Sequence, residues 1–176
     1  MEKQTAGYAA AFVAILLLGM TSAVAPVRGD EIVARGQVTN LPLPRFVSIR
    51  ADTANARRGP GMDQRIDWEF VRRGLPVEVT AEYGNWRRVR DMDGKGGWVH
   101  HTLISGVRTA LLQGDENIAM RAKPEEDALV VAMAEPGVIA RIEKCEGDWC
   151  ELEADRITGW VPRRLIWGVG PNEIID

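Results

Sequence analysis

The sequence predicts an all-β protein made of two tandem small β-barrels that follow an N-terminal signal helix. Three observations predict this class. Short strand-like segments of about 5–8 residues are separated by Gly, Pro, Asn and Asp, with no long stretch of helical period. A set of motifs occurs twice, and the N-terminus is apolar. The length of 176 residues fits one medium domain or two small ones.

The first element is residues 1–29, which we predict to be a secretory signal peptide. Residues 9–20 form a compact apolar run, and small residues follow it, which is the order found in signal peptides. Pro26 stands directly after the best cleavage site, Ala25, and the uncharged stretch approaches the roughly 20 residues that span a bilayer. An uncleaved membrane anchor is therefore the alternative. In either case we expect the rest of the chain to be exported, in the periplasm or secreted.

An internal repeat fills the rest of the chain. The paired segments are 55–60 with 119–124, 74–79 with 137–142, 84–86 with 147–149, and 97–104 with 159–166. Because the order is the same and the offset between the copies changes by only one or two residues, the pattern indicates a duplication. It accounts for four of the six Trp and leaves Trp68 and Trp167 outside the pairing.

Each copy is predicted to form one barrel, the first over residues 44–112 and the second over residues 115–170. In the first copy, 77–82 and 86–90 are expected to form a hairpin, 101–103 a tight turn, and 104–111 the closing strand. The connection between the copies is short, so independent motion of the two barrels is not expected.

The two cysteines are predicted to form a structural disulfide. Cys145 and Cys150 flank Glu-Gly-Asp, which is turn chemistry, between segments that alternate like half-buried strands. Facing residues of such a hairpin lie within disulfide range. A redox pair is the alternative, and the absence of the C-x-x-C spacing counts against it.

Charge is distributed unevenly between the copies. Residues 44–113 contain 12 basic and 8 acidic residues, a net charge of +4, whereas residues 114–176 contain 7 basic and 14 acidic residues, a net charge of −7. This asymmetry either steers the barrels together or marks two partner surfaces. The total net charge of −3 argues against a general nucleic-acid binder.

The repeated motifs resemble the bacterial Src-homology-3-like domain. The first copy has Asn-Ala-Arg-Arg-Gly-Pro-Gly from residue 55, Arg-Arg-Gly-Leu-Pro-Val-Glu-Val from residue 72, Gly-Asn-Trp from residue 84 and Gly-Trp-Val from residue 97. The second copy departs at Lys123 and Glu125, where the first has Gly59 and Gly61. The resemblance implies a non-catalytic binding or targeting module whose ligand is a peptidoglycan peptide or an envelope protein.

The resemblance also implies where a ligand would bind. Trp86 and Trp149 correspond to the Trp that lines the peptide groove of the eukaryotic relatives, and Pro162 corresponds to the groove proline, which is His100 in the first copy. The groove tyrosines are missing, so polyproline recognition, which needs an aromatic trough, is not expected. Trp68, in a long loop without a counterpart, is the best single candidate for partner contact.

Structural interpretations compete with these binding roles. Trp98 and Trp160 are expected in the core, and Trp86 and Trp149 could cover a barrel end instead of a ligand. The paired arginines at 57–58, 72–73 and 87–88 could bind carboxylates or phosphates, or form a solvated or docked face.

Enzymatic functions find little support in the residues present. His100 and His101 are adjacent, and adjacent side chains of a strand point to opposite faces, so a shared metal is not expected. No phosphate loop or nucleophile elbow occurs. We therefore expect no catalytic residue, no metal and no cofactor. A regulatory or targeting subunit of a cell-wall hydrolase, and a structural envelope component held by the N-terminal helix, are the alternative functions.

Overall fold

The computed structural model describes residues 33–176, and this part of the chain is all-β. The predicted signal segment, residues 1–29, lies outside the described residues. The strands are β1 Arg45–Ile49, β2 Ala54–Arg57, β3 Ile66–Phe70, β4 Pro76–Tyr83, β5 Trp86–Arg90, β6 Gly96–His100, β7 Ile104–Ser105, β8 Thr109–Leu112, β9 Ile118–Arg121, β10 Val130–Ala134, β11 Ile139–Glu146, β12 Trp149–Ala154, β13 Ile157–Pro162 and β14 Ile166–Trp167. Within residues 33–176, no helix is long and apolar enough to cross a membrane.

The strands form two antiparallel sheets of seven strands with the same topology. The order is β3-β2-β6-β5-β4-β1-β7 in the first sheet and β10-β9-β13-β12-β11-β8-β14 in the second. A 3₁₀ turn precedes the last strand of each, at His101–Leu103 and Arg163–Leu165. The predicted duplication and the predicted tight turn at residues 101–103 are thereby confirmed. The first repeat consists of strands β1–β7, and the second repeat consists of strands β8–β14.

The closing strand predicted for the first repeat is wrong in its second half. Residues 104–105 do pair with β1, but Thr109–Leu112 pair with β11 and β14 and open the second repeat. The chain leaves the first sheet between these strands, at Gly106. Neither sheet closes into a full barrel, because the edge strands β3 and β7, like β10 and β14, do not pair with each other.

Each sheet curls around its own apolar core. Val77, Val79 and Val99 are fully buried in the first repeat, and Leu152 and Val161 are fully buried in the second. These residues follow the period of two that one-sided burial of a strand requires. The separate cores explain why the pattern of the duplication survives in both copies.

Glycine closes the central hairpin of each repeat. Gly84 has φ of 50° between β4 and β5, and Gly147 has φ of 53° between β11 and β12. L-residues with a side chain seldom adopt this left-handed conformation. The Gly before Asn85-Trp86 and Asp148-Trp149 is therefore needed by the turn itself.

Short flanking segments dock on the same place in each repeat. Residues 35–42 form a small turn whose Val38 and Thr39 contact Glu82, near the end of β4. The C-terminal Ile175 exchanges main-chain hydrogen bonds with Cys145, near the end of β11. The folded unit therefore begins before residue 44 and ends after residue 170.

Candidate functional site

Hydroxyl and apolar groups join the two repeats along a tight seam. The Ser48 hydroxyl of β1 donates to the carbonyl oxygen of Val107 at 2.5 Å. The Thr109 hydroxyl of β8 lies 2.6 Å from both the Ser48 hydroxyl and the carbonyl oxygen of Gly74. Ser48 and Thr109 are both buried. Such satisfied buried contacts hold the repeats in one orientation, because separating them would leave several polar groups unpaired.

An aromatic pair continues this seam toward the surface. The rings of Phe46 in β1 and Trp167 in β14 meet edge to face with centroids 5.1 Å apart. The guanidinium of Arg108 lies over the Phe46 ring, 6.0 Å from its centroid. This geometry adds cation–π attraction to apolar burial. Arg108 is thus fixed at the point where the repeats meet.

The repeats enclose a groove of about 1120 Å³ beside this pair. Leu41, Pro42 and Pro44 line it from the segment before β1, and Val169 and Pro171 line it from the segment after β14. A mostly apolar cleft with a few polar groups is the usual form of a ligand site, and sites commonly lie between domains. Its volume is at the upper end of such sites, which suits an extended ligand.

Arginines supply most of the charge in the groove. Arg45, Arg90, Arg108, Arg163 and Arg164 line it, against three acidic residues, Glu78, Asp148 and Glu173. Arg108 pairs with Glu173 and Arg90 with Glu78. Arg163 donates to the carbonyl oxygens of Gly147, Gly170 and Glu173.

Two polar atoms of residues in the groove walls are buried with no hydrogen-bond partner among residues 33–176. They are Nε of Arg108 and Nε1 of Trp167. Both are N–H donors, and buried donors normally find an acceptor. The pKa of Glu173 is lowered although burial by itself raises it, because hydrogen bonds from Arg108 and Gly170 favour the charged carboxylate. Arg108 and Arg163 thus direct their terminal N–H groups at acceptors of the chain itself, and much of the remaining lining is apolar.

Trp86 and His100 are neighbours in the first sheet, and their predicted part in ligand binding stays a prediction. They are direct partners across β5 and β6, and their rings meet edge to face at 5.4 Å. Trp86 is only 9% exposed. In this arrangement it contributes to the end of the first sheet, with His100 half-buried beside it.

The expectation that His100 and His101 point to opposite faces is wrong. Their rings are 4.8 Å apart. The reason is that β6 ends at His100 and the chain enters a 3₁₀ turn at His101, so strand alternation no longer applies. Nδ1 of His100 lies 2.8 Å from the Thr102 hydroxyl. Among residues 33–176, no group of three or more His, Cys, Asp or Glu is placed to hold a metal.

Trp149 and Pro162 occupy the equivalent place in the second repeat, where they are partners across β12 and β13. Trp149 is half-buried. Neither this pair nor Trp86 and His100 is among the residues that line the groove.

Trp68 lies on the edge strand β3 rather than in a loop, and it is 40% exposed. It faces Ala56 across the ladder, whereas the second repeat has Ala132 opposite Met120. The structure therefore does not bring Trp68 to the groove. Its role in partner contact stays a prediction.

The expected core tryptophans differ in burial. Trp160 is buried at 8% exposure and Trp98 is half-buried. The predicted disulfide is present, with Cys145 and Cys150 joined at an S–S distance of 2.02 Å and both fully buried.

Sequence reasoning missed the groove residues Phe46, Arg108 and Trp167. A signal was present, because Trp167 had no partner in the duplication and so had no structural explanation. The charge asymmetry is bridged by a single ion pair within residues 33–176, because Arg108 of the basic part, residues 44–113, pairs with Glu173 of the acidic part, residues 114–176, and the other ion pairs lie within one part. Whether it marks two partner surfaces stays a prediction.

Comparisons with solved structures give weak likenesses. NlpC1 and NlpC2 from Trichomonas vaginalis each align with 70% of this chain at 8% identity and a TM-score of 0.33. The alignments span 45% and 48% of those two chains, so this chain covers less than half of their length. The structure titled "Endolysin LysPBC5 CBD" aligns with 69% of this chain and 90% of its own at 12% identity and a TM-score of 0.28. No curated protein matches the chain.

A family model matches both repeats of the chain. Residues 50–106 and 114–168 each match the family model described as "Bacterial SH3 domain". These two segments cover more than half of the chain and contain every strand of the two sheets except β1 and β8. The chain therefore belongs to the bacterial SH3 domain family and carries two copies of that domain in tandem.

Proposed function

We propose that this chain is an exported, non-catalytic binding protein whose groove between the two repeats holds a cell-envelope ligand, a peptidoglycan peptide or a segment of an envelope protein. The observation that carries the proposal is the groove itself. Both repeats build it, and it is a mainly apolar cleft with arginines in its lining that is large enough for several residues of an extended ligand.

The fixed arrangement of the repeats supports binding at the seam. A pre-formed site loses little conformational entropy when it binds. Ser48 and Thr109 fix the orientation of the repeats from within, and Phe46 against Trp167 fixes it beside the groove. The groove would therefore hold its lining residues at constant spacing for a ligand.

Export is supported by two features of the chain, one in its N-terminal segment and one in the second repeat. Residues 9–20 form the apolar run of a predicted signal segment. Cys145 and Cys150 form a disulfide, which persists in oxidising compartments such as the periplasm.

Co-sedimentation with isolated peptidoglycan sacculi tests the proposal. The purified protein is expected to pellet with sacculi. Leu41→Asp, on the exposed apolar wall of the groove, is expected to reduce the bound fraction about tenfold, which corresponds to the loss of one good contact. Met62→Asp is the matched control, because Met62 is exposed outside the groove.

The outcomes separate the parts of the proposal. Equal pelleting of the Leu41→Asp variant, the control and the unchanged protein would place the ligand elsewhere. Failure of the unchanged protein to pellet, together with no crosslink to an envelope protein, would overturn the binding role. Release of soluble muropeptides by the protein alone would overturn its non-catalytic character.

A further inference from the structure

The free edge of the second sheet carries an uncharged apolar strand. Among the strands that the structure describes, β10 pairs only with β9, so no described strand lies on its other side. Leu129 and Met133 are 76% and 57% exposed, and residues 129–134 contain no charged or polar side chain. A strand edge of this kind offers unpaired N–H and C=O groups to another strand.

The first repeat protects its equivalent edge. The registers make Glu69 of β3 equivalent to Met133 of β10, because Glu69 faces Asn55 and Met133 faces Ala119. Asp67 of β3 accepts hydrogen bonds from Arg58 and Arg65 at 3.0 and 2.7 Å. Charged side chains are the common device that prevents pairing at an edge.

The β10 edge therefore lacks the charged side chains that protect the equivalent β3 edge of the first repeat. Acidic residues lie only at the two ends of the strand, at 125–127 before it and at Glu135 after it. This charge pattern determines which strand the edge accepts.

We propose that the free edge of β10 binds an extended segment of a partner protein, one with alternating apolar side chains in its centre and Lys or Arg at both ends. The segment would add a strand to the second sheet by main-chain hydrogen bonds, which is β-augmentation. Its basic ends would meet Glu135 at one end and Glu125 and Asp127 at the other, since Glu126 is already paired with Arg164.

A second copy of β10 fits this edge poorly. A symmetric pair of β10 strands must be antiparallel, which places Glu135 of one copy beside residues 125–127 of the other. Like charges at both ends oppose that pairing.

Binding of two synthetic peptides to the full chain tests the proposal by fluorescence anisotropy. The probes are Lys-Lys-Val-Thr-Val-Thr-Val-Lys-Lys and the same peptide with Glu in place of every Lys. We expect the basic peptide to bind at least about tenfold more tightly at low salt, with the difference shrinking as salt is added.

Variants of the protein then locate the site. Met133→Lys should abolish binding of the basic peptide, because it places a like charge on the edge. Glu69→Lys, the same charge at the equivalent position of the first repeat, is the matched control and should leave binding unchanged. The double variant Asp127→Lys, Glu135→Lys should bind the acidic peptide instead. Unchanged thermal unfolding of each variant verifies the fold.

The proposal would be overturned by equal affinity for the two peptides or by no binding of either. Equal losses of affinity for the basic peptide in Met133→Lys and Glu69→Lys would also overturn it. Concentration-dependent self-association that Met133→Lys removes would also overturn it and assign the edge to a second copy. None of these results bears on sedimentation with sacculi, so this inference and the proposed function can fail separately.

Discussion

Glu82 and Arg87 face each other across the β4–β5 hairpin at the two positions that Cys145 and Cys150 occupy in the β11–β12 hairpin. Oε1 of Glu82 lies 3.5 Å from Nε of Arg87, and both side chains are buried. The same site of a duplicated fold is therefore closed by an ion pair in one copy and by a covalent bond in the other.

The Glu82 carboxylate also anchors the segment before β1. It accepts hydrogen bonds from the main-chain N–H groups of Val38 and Thr39 at 3.0 and 2.9 Å, and from the Thr39 hydroxyl at 2.6 Å. Arg45 completes the site at 2.7 Å. The carboxylate is thus satisfied on every side, as a buried charge must be.

Replacement of Glu82 by Ala is expected to lower the free energy of unfolding by about 3 kcal/mol, because it leaves Arg87 buried without its partner. Urea denaturation measures this loss. The control is Asp67→Ala, which removes a surface carboxylate paired with Arg58 and Arg65 and should cost much less than Glu82→Ala. Similar losses in the two variants would contradict the buried role of Glu82.

The stability of the protein should fall below pH 4.5. Burial alone raises the pKa of Glu82, but hydrogen bonds from Thr39, Arg45 and Val38 outweigh it and lower the pKa to about 2. A lowered pKa in the folded state means stability that is present above the unfolded value of 4.5 and lost as the pH falls toward 2. The loss amounts to roughly 2–3 kcal/mol.

Glu82→Gln isolates this contribution in unfolding experiments carried out between pH 7 and pH 2. The amide cannot be protonated in this range, so the stability of the variant should vary less with pH than that of the unchanged protein. An equally steep decline in both proteins would assign the acid sensitivity to other carboxylates, such as Glu173, whose pKa is also lowered.

The sequence contained enough to predict the duplication and the disulfide, because both rest on local patterns. Gly84 and Gly147 mark the hairpin turns, and a Trp follows each turn two residues later. Cys145 and Cys150 then face each other as a consequence of that turn. Local turn chemistry of this kind does not depend on how the two repeats pack.

The start of the second repeat was not predictable from pattern alone. Residues 109–112, Thr-Ala-Leu-Leu, form an apolar run that fits either sheet, and only the ladder with β11 decides between them. The groove was missed for a similar reason, because it depends on the angle at which Phe46 meets Trp167. The equivalence of the Glu82–Arg87 pair and the disulfide could be recognised only by comparing the strand registers of the two hairpins.

Reduction of the disulfide is expected to destabilise the second repeat by about 2 kcal/mol, the chain-entropy value for so short a loop. Cys145 and Cys150 are fully buried, so a phosphine reductant should act mainly on the unfolded chain. Guanidinium unfolding with and without reductant measures the difference. In the Cys145→Ser variant the reductant should change nothing, and an equal shift there would show that the reductant acts elsewhere.

The seam between the repeats can be tested by a double-mutant cycle on Ser48 and Thr109. Ser48→Ala should cost about 1 kcal/mol, since the carbonyl oxygen of Val107 loses its donor and the buried Thr109 hydroxyl loses the neighbouring Ser48 hydroxyl. Thr109→Val removes the other hydroxyl and its contact with the carbonyl oxygen of Gly74. Because the two hydroxyl groups lie 2.6 Å apart, the double variant should lose less than the sum of the single losses, by at least about 0.5 kcal/mol.

Ser105→Ala is the control on the exposed side of the same connection and should be nearly neutral. Strict additivity of Ser48→Ala and Thr109→Val would mean that the two hydroxyl groups act independently and that the orientation of the repeats is set by Phe46 and Trp167 instead.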